Sequence, residues 1–351
     1  MPSVVLVTEQ NGRRFADPSG SPLTGRVRLT HVEWHDAMGE DERAALFDAA
    51  IHDADAVVVS PWSARLPRFT ADRWARTPRL KVIAGTFDNR FGHWIDVEEA
   101  LRRGVTLVDT SRSMTPTVAE FAMAMTLNLL RDIPAAVQLV RQGGWPAQPW
   151  DLPGFVVGDL TERRVGLAGY GSINRRYAEL LTPFYPTLTT YDPFVPDPDL
   201  AQANIGRATS LRDLAASSEI FVVGIPPTPA TQGIISREVI DALPRGSLFI
   251  LVTRMAVVDQ AALWRRAEAG EIRAAVDVFA PEPPPVGASF RTSPFVLPTP
   301  HIAGNTPYCH RRCFTTACDD ALAVLAGRAP VYPVTVWDDR LYQGTLDPAT
   351  G

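Results

Sequence analysis

Short apolar runs alternate with segments of helical periodicity from the first residues to beyond position 300. Residues 4–7 read as a strand, 26–32 alternate as a second, 44–50 have helical composition, and 56–59 return to strand. A strand at 80–84, a helix at 97–103 and a strand at 105–108 follow. Strands separated by helices of this length pair in parallel through crossovers, so residues 1 to about 110 form one α/β layer. Thr117 and Glu120 then have capping-box spacing, and the helix they announce is apolar on nearly every side from Val118 through Leu130. That predicts burial in a seam between domains or in a subunit interface. After a Trp-, Pro- and Gly-rich wrapping loop at 143–158, the alternation resumes. Strands are expected at 188–191, 220–225, 248–252, 274–279 and 295–297, with helices at 211–216, 236–243 and a third capped by Asp259 and closed by Gly270. The last fifty residues carry one cysteine-bearing helix and a proline-bearing tail, expected to fold back on the first layer.

The organising stretch is Val165-Gly166-Leu167-Ala168-Gly169-Tyr170-Gly171-Ser172-Ile173-Asn174. An apolar strand breaks at glycines and becomes helical, with Ile173, Tyr177, Leu180 and Leu181 at helical spacing. Gly169 permits the turn, Gly171 lets a pyrophosphate approach the backbone, and the amide ends of the new helix, from Ser172 and Ile173 on, face that charge. Asp192 stands at the end of the next strand, where a carboxylate accepts hydrogen bonds from an adenosine ribose. Asn174 departs from the fingerprint, standing in place of its third glycine. That predicts a helix packed slightly further from the strand.

Composition adds limits. The chain has 351 residues, 46% hydrophobic and 21% charged, with a net charge of −5, ordinary usage for a soluble two-domain protein. An acidic balance argues against nucleic acid or an anionic membrane as partner. No apolar run approaches a membrane span and the first fourteen residues lack the order of a secretion signal, so the expected compartment is the cytoplasm. Cys309, Cys313 and Cys318 lie with His310 in one segment. Spacings of four and five lack a Cys-x-x-Cys knuckle, and the flanking Ala317, Ala321, Leu322 and Leu325 read as a helix packing small thiols; no metal is expected.

In doubly wound sheets, ligands bind beyond the carboxyl ends of the strands. Three adjacent ends here carry polar residues: Thr253-Arg254, then Asp277 running into Glu282-Pro283, then Thr299-Pro300-His301. Hydride transfer to a ketone builds negative charge on oxygen, which calls for a proton donor titrating near neutrality and a fixed cation. A histidine supplies the first, with a carboxylate to hold its ring, and an arginine fork the second.

At these residues the chain resembles the D-isomer-specific 2-hydroxyacid dehydrogenases. The resemblance runs from about Ala56 to Pro333 through Leu80-Lys81-Val82-Ile83, Val118-Ala119-Glu120, the glycine turn, Tyr191-Asp192-Pro193, Pro226-Pro227-Thr228 with Thr231, Thr253-Arg254, Asp277-Val278-Phe279 with Glu282-Pro283, and Thr299-Pro300-His301. It implies two doubly wound parallel-sheet domains. A Rossmann NAD-binding domain (115–303) is inserted into a flavodoxin-like substrate domain (1–114, completed by 304–351), with the active site in the cleft between. The implied catalytic set is His301 as acid/base, Glu282 as its partner, and Arg254 as electrophile and carboxylate clamp. Gly169, Gly171, Ser172, Ile173, Asp192, Pro226, Thr253 and Asp277 would hold NAD, Asp277 at the nicotinamide carboxamide. Thr86, Phe87 and Arg254 would bind substrate, and the family pairing implies a homodimer. The implied reaction interconverts a 2-keto acid and a D-2-hydroxy acid; a dinucleotide-sensing scaffold with little turnover is the alternative from another class.

Three positions depart from the family pattern. Asn174 replaces the last glycine and Met255 follows the arginine where glycine is usual. The loop Ala84-Gly85-Thr86-Phe87-Asp88-Asn89 lacks two glycines and is followed by an apparent insertion, Arg90-Phe91-Gly92-His93-Trp94. In the family this loop offers backbone amides to the substrate carboxylate. Phe87, Phe91 and Trp94 therefore predict either an aromatic substrate mouth with a preference for bulky 2-keto acids, or rings that pack the insertion against the first domain.

Overall fold

The computed structural model describes residues 1–10, 15–61, 66–88, 91–148 and 158–346. Arg90 and most of the wrapping loop, 149–157, lie outside them. The described chain divides into two compact units, Met1–Met114 with Asn305–Leu346, and Thr115–Gly304.

The first unit is a five-stranded parallel sheet of β1 (Ser3–Glu9), β2 (Arg28–Trp34), β3 (Ala56–Val59), β4 (Val82–Gly85) and β5 (Thr106–Asp109), ordered β2-β1-β3-β4-β5. The central strands are almost wholly buried, β3 and β4 apolar throughout and β1 apolar from Val4 to Val7, as a sheet covered on both faces requires. One face is covered by α1 (Glu40–Ile51), α2 (Ala71–Ala75) and α3 (Val97–Arg102) through Phe47, Ile51, Trp74, Val97 and Ala100. The other is covered by a helix of the returning chain, described below. Asp96 caps α3 by accepting from the Glu99 amide at 2.8 Å.

The second unit carries seven parallel strands, β6 (Arg164–Ala168), β7 (Thr187–Tyr191), β8 (Gly206–Arg207), β9 (Ile220–Val223), β10 (Leu248–Leu251), β11 (Arg273–Val276) and β12 (Val296–Pro298). Their order, β12-β11-β10-β9-β6-β7-β8, reverses direction of travel between β6 and β9. That is the switch point at which doubly wound sheets bind ligands. Around it lie α4 (Thr115–Arg131), α5 (Ile133–Arg141), α6 (Ser172–Leu181), α7 (Asp197–Gln202), α8 (Leu211–Ser217), α9 (Arg237–Ala242) and α10 (Gln260–Glu268). Asp259 caps α10 as its sequence position predicts.

After Gly304 the chain returns to the first unit. There α11 (Pro307–Leu325) lays Phe314, Ala317, Cys318, Ala321 and Leu322 on Val4, Leu6, Val58, Val82 and Ala84, and α12 (Val336–Gln343) ends the described chain. All three cysteines are buried thiols of α11, in no disulfide.

Two expectations are corrected. α4 begins at Thr115, so Thr117 lies inside the helix and does not cap it. Its buried residues pack on α6, β10 and β11 of its own unit, with Thr126 Oγ1 2.8 Å from the Tyr177 hydroxyl. This helix thus covers the sheet of its own unit. The tail also holds a helix, α12, opened by a Thr335–Asp338 capping box that the prolines before it obscured.

Candidate active site

The glycine turn joins β6 to α6 at the switch point. Gly169 has φ of 83°, a conformation glycine adopts without strain. Gly171 caps α6 without any side-chain hydrogen bond, and a Cβ built on it would meet nothing within 4 Å. Ser172 beside it is exposed and accepts from Thr115 Oγ1 at 3.1 Å. Nothing in the protein's own packing demands glycine at 171. The bare backbone, the uncapped first turn and the helix dipole suit a dinucleotide's pyrophosphate.

Asp192 ends β7 with both carboxylate oxygens fixed: Oδ2 accepts from the Tyr170 amide at 2.8 Å and Oδ1 from the Phe194 amide at 2.9 Å. Sequence reasoning missed a neighbour. Arg207, on the two-residue strand β8, donates through Nη1 to the Asp192 carbonyl at 2.8 Å, while its other nitrogens reach Asp197 and the Val195 carbonyl. Such a short strand leaves no periodic signal, so nothing in the sequence ties residue 207 to residue 192. Pro226 follows β9, and its turn is locked by Thr231 Oγ1, which donates to the Pro226 carbonyl at 2.6 Å and accepts from the Thr228 amide at 2.8 Å.

The polar strand ends come together in the same unit. Thr253, after β10, is buried and donates to the Val223 carbonyl at 3.2 Å. Arg254 donates from Nη1 to the Thr253 carbonyl at 2.8 Å. His301 sits at φ of 53°, and its Nδ1 lies 2.7 Å from Glu282 Oε2. Glu282 Oε1 accepts from the Phe279 amide at 2.7 Å. Burial pushes the Glu282 carboxyl up, but the hydrogen bonds from His301 and Phe279 and the charges of His301 and Arg254 outweigh it and hold the group below its ordinary value. Engaging Nδ1 leaves Nε2 as the ring atom that can exchange a proton with a ligand.

Asp277 does something its position in the sequence did not announce. It is 0% exposed, Oδ1 accepts from Thr299 Oγ1 at 2.6 Å and from the Ile302 amide at 3.0 Å, and Oδ2 accepts from the Ala303 amide at 2.8 Å. These partners flank His301 on both sides, so this carboxylate anchors the histidine's loop.

In the first unit, Thr86 follows β4, with its hydroxyl 2.9 Å from Thr110 Oγ1. The Phe87 amide donates to Asp109 Oδ1 at 3.1 Å and the Asp88 amide to Ser111 Oγ at 2.7 Å. The rings of Phe87 and Phe91 are 4% and 3% exposed, 4.2 Å apart between centroids, and pack with Ile83, Ile95 and Trp94. Phe87 as a substrate-contacting ring is thereby corrected: it belongs to the core of this unit. The aromatic mouth loses its basis, because apolar rings of this size are worth more against Ile83 and Ile95 than in water.

A model of the D-isomer specific 2-hydroxyacid dehydrogenase NAD binding domain matches residues 123–303. The chain is 31% identical over 300 residues to the D-3-phosphoglycerate dehydrogenase of Mycobacterium bovis, covering 84% of this chain and 53% of that one. It thus spans about half the length of that relative. It is 32% identical over 250 residues to the glyoxylate reductase/hydroxypyruvate reductase of Homo sapiens, covering 71% of this chain and 75% of that one. The solved structure of an NADPH-dependent glyoxylate/hydroxypyruvate reductase from Sinorhizobium meliloti in complex with citrate superposes with a TM-score of 0.70 at 26% identity, over 95% of this chain and 98% of that one. The alternative of a dinucleotide-sensing scaffold has no support among these three, each of which is an enzyme by name. No helix among the described residues is long and apolar enough to cross a membrane.

Proposed function

The chain belongs to the D-isomer-specific 2-hydroxyacid dehydrogenases, with a nicotinamide dinucleotide as cofactor, and from that we propose that it interconverts a 2-keto acid and a D-2-hydroxy acid. The observation that carries this reading is the 2.7 Å pairing of His301 Nδ1 with Glu282 Oε2 in the unit that carries the glycine turn.

When bound, the reduced nicotinamide supplies the hydride. In the direction of reduction His301 gives its proton from Nε2 to the carbonyl oxygen of the keto acid. Glu282, charged across the neutral range, stabilises the protonated ring before transfer and keeps it aimed. Arg254 faces the negative charge developing on oxygen and grips the substrate carboxylate. Asp192 takes the adenosine ribose hydroxyls, and its charge disfavours a 2′-phosphate; Arg207 beside it is already committed to Asp197 and two carbonyls, so NAD is preferred over NADP. The relatives named for glyoxylate, hydroxypyruvate and phosphoglycerate act on small acids, and with Phe87 and Phe91 in the core the same size class suits this chain. A homodimer is part of the same reading, paired through α5.

The test is NADH oxidation by glyoxylate, pyruvate, hydroxypyruvate and phenylpyruvate, run beside His301→Ala. Turnover of at least one small keto acid, lowered about a hundredfold or more by the substitution while NADH binding stays within twofold, is the expected result. A wild-type protein that binds NADH and turns over none of the four overturns the reading.

A further inference from the structure

Asn174 lies in the first turn of α6, where the dinucleotide fingerprint has its third glycine. It is 1% exposed, and its Nδ2 donates to the Gly169 carbonyl at 2.7 Å. The far side of that same peptide is held as well, since the Tyr170 amide donates to Asp192 Oδ2. A single peptide plane in the glycine turn is therefore clamped between α6 and the carboxylate that ends β7. The side chain's orientation is set by its donors, because the two acceptors near Nδ2 are carbonyls, Gly169 O and, at 3.5 Å, Ala168 O. Its Oδ1 is buried and has no hydrogen-bond partner among the described residues.

Room for this amide comes from Gly224, which follows β9. A Cβ built on Gly224 would lie 2.4 Å from Asn174 Nδ2 and 2.5 Å from its Cγ, distances no real pair of atoms sustains. Gly224 is not in the left-handed region, so its backbone does not call for glycine; the close approach of Asn174 does. The glycine that lets helix and sheet meet has changed sides, from α6 to the end of the facing strand. Volume added on the helix at Asn174 is thus matched by volume absent from the strand end at Gly224.

We propose that Asn174 is a positioning residue for the dinucleotide: it locks the Gly169–Tyr170 peptide so that the turn and Asp192 stand in binding geometry before the cofactor arrives. The proposal rests on the reading of Gly169, Gly171 and Asp192 as the cofactor's cradle. A clamp of this kind acts on affinity, by sparing the ligand the cost of ordering the turn.

The experiment titrates NADH into the free protein, followed by nucleotide fluorescence, with melting temperature measured in parallel. Asn174→Ala is expected to raise the NADH Kd about tenfold, the loss of one well-made hydrogen bond. Asn174→Asp, the same shape without the donor, is expected to raise it at least as much. In the double variant Asn174→Ala with Gly224→Ala, the new methyl refills the vacated space, so the melting temperature returns toward wild type while the Kd stays raised. That double variant also carries the test should Asn174→Ala fail to fold. A double variant that regains wild-type Kd, or Ala and Asp variants within twofold of wild type, overturns the proposal. Asp192→Ala is run beside them: if it leaves the Kd unchanged, the cradle reading itself falls and the proposal with it, whereas a weakened Asp192 variant beside an unchanged Asn174 variant sinks the clamp alone.

Discussion

Asp277 and Glu282 are two carboxylates serving one histidine, and exposure separates their tasks. Asp277 is wholly buried and spends its oxygens on Thr299, Ile302 and Ala303, fixing where the loop runs. Glu282 is partly open and touches the ring itself. Its carboxyl is held below the ordinary value, so its charge persists through the usual carboxylate range and is lost only as pH falls through that lowered value. Glu282→Gln removes the negative charge that favours a protonated ring. With that charge gone from beside Nδ1, the pH–rate profile of keto-acid reduction is expected to differ from that of the wild type. Rates of the variant measured across pH check this, and an unchanged profile counts against the pairing. The pair was legible because both residues have side chains suited to proton transfer at neighbouring strand ends. The anchoring by Asp277 was not, because its partners are mostly backbone amides, which every residue possesses.

Among the elements, strands were the most readable. A sheet covered on both faces makes its central strands continuous apolar runs such as Ala56–Val59 and Ile220–Val223, and glycines or prolines punctuate them. The helices α2, α5, α7 and α12 escaped notice, since α2 and α7 are short and α5, α7 and α12 each start near proline. For residues 91–94 the aromatic composition was plain but the facing was not: pattern alone does not say on which side of a short turn a ring lies. The structure turns Phe91 inward, and two outcomes follow. Phe91→Ala should cost about 3–5 kcal/mol in stability, read from denaturant unfolding. The same variant should leave the ratio of efficiencies on phenylpyruvate and pyruvate within about twofold, where a ring lining the substrate would change it strongly.

At the scale of the molecule, α5 has no buried residue, and Ile133, Val137 and Val140 stand exposed on one face of it, near Leu127 of α4 in sequence and followed by exposed Trp145. Such a face suits a second copy of the chain. Sedimentation should give a dimer at micromolar concentration, and Val137→Asp should shift it to monomer with the fold intact by circular dichroism; a wild-type monomer removes the dimer. The chain also passes from one unit to the other twice, after Met114 and after Gly304. On a ribosome the unit begun second is therefore finished first. The 190 residues from 115 to 304 must be made before α11 emerges, which takes about 10–40 s at ordinary elongation rates. Through that interval Val4, Leu6, Val58 and Val82 lack the helix that covers them. The early sheet thus waits half-dressed, and the span most open to aggregation in the cell comes during synthesis, before any complete molecule exists.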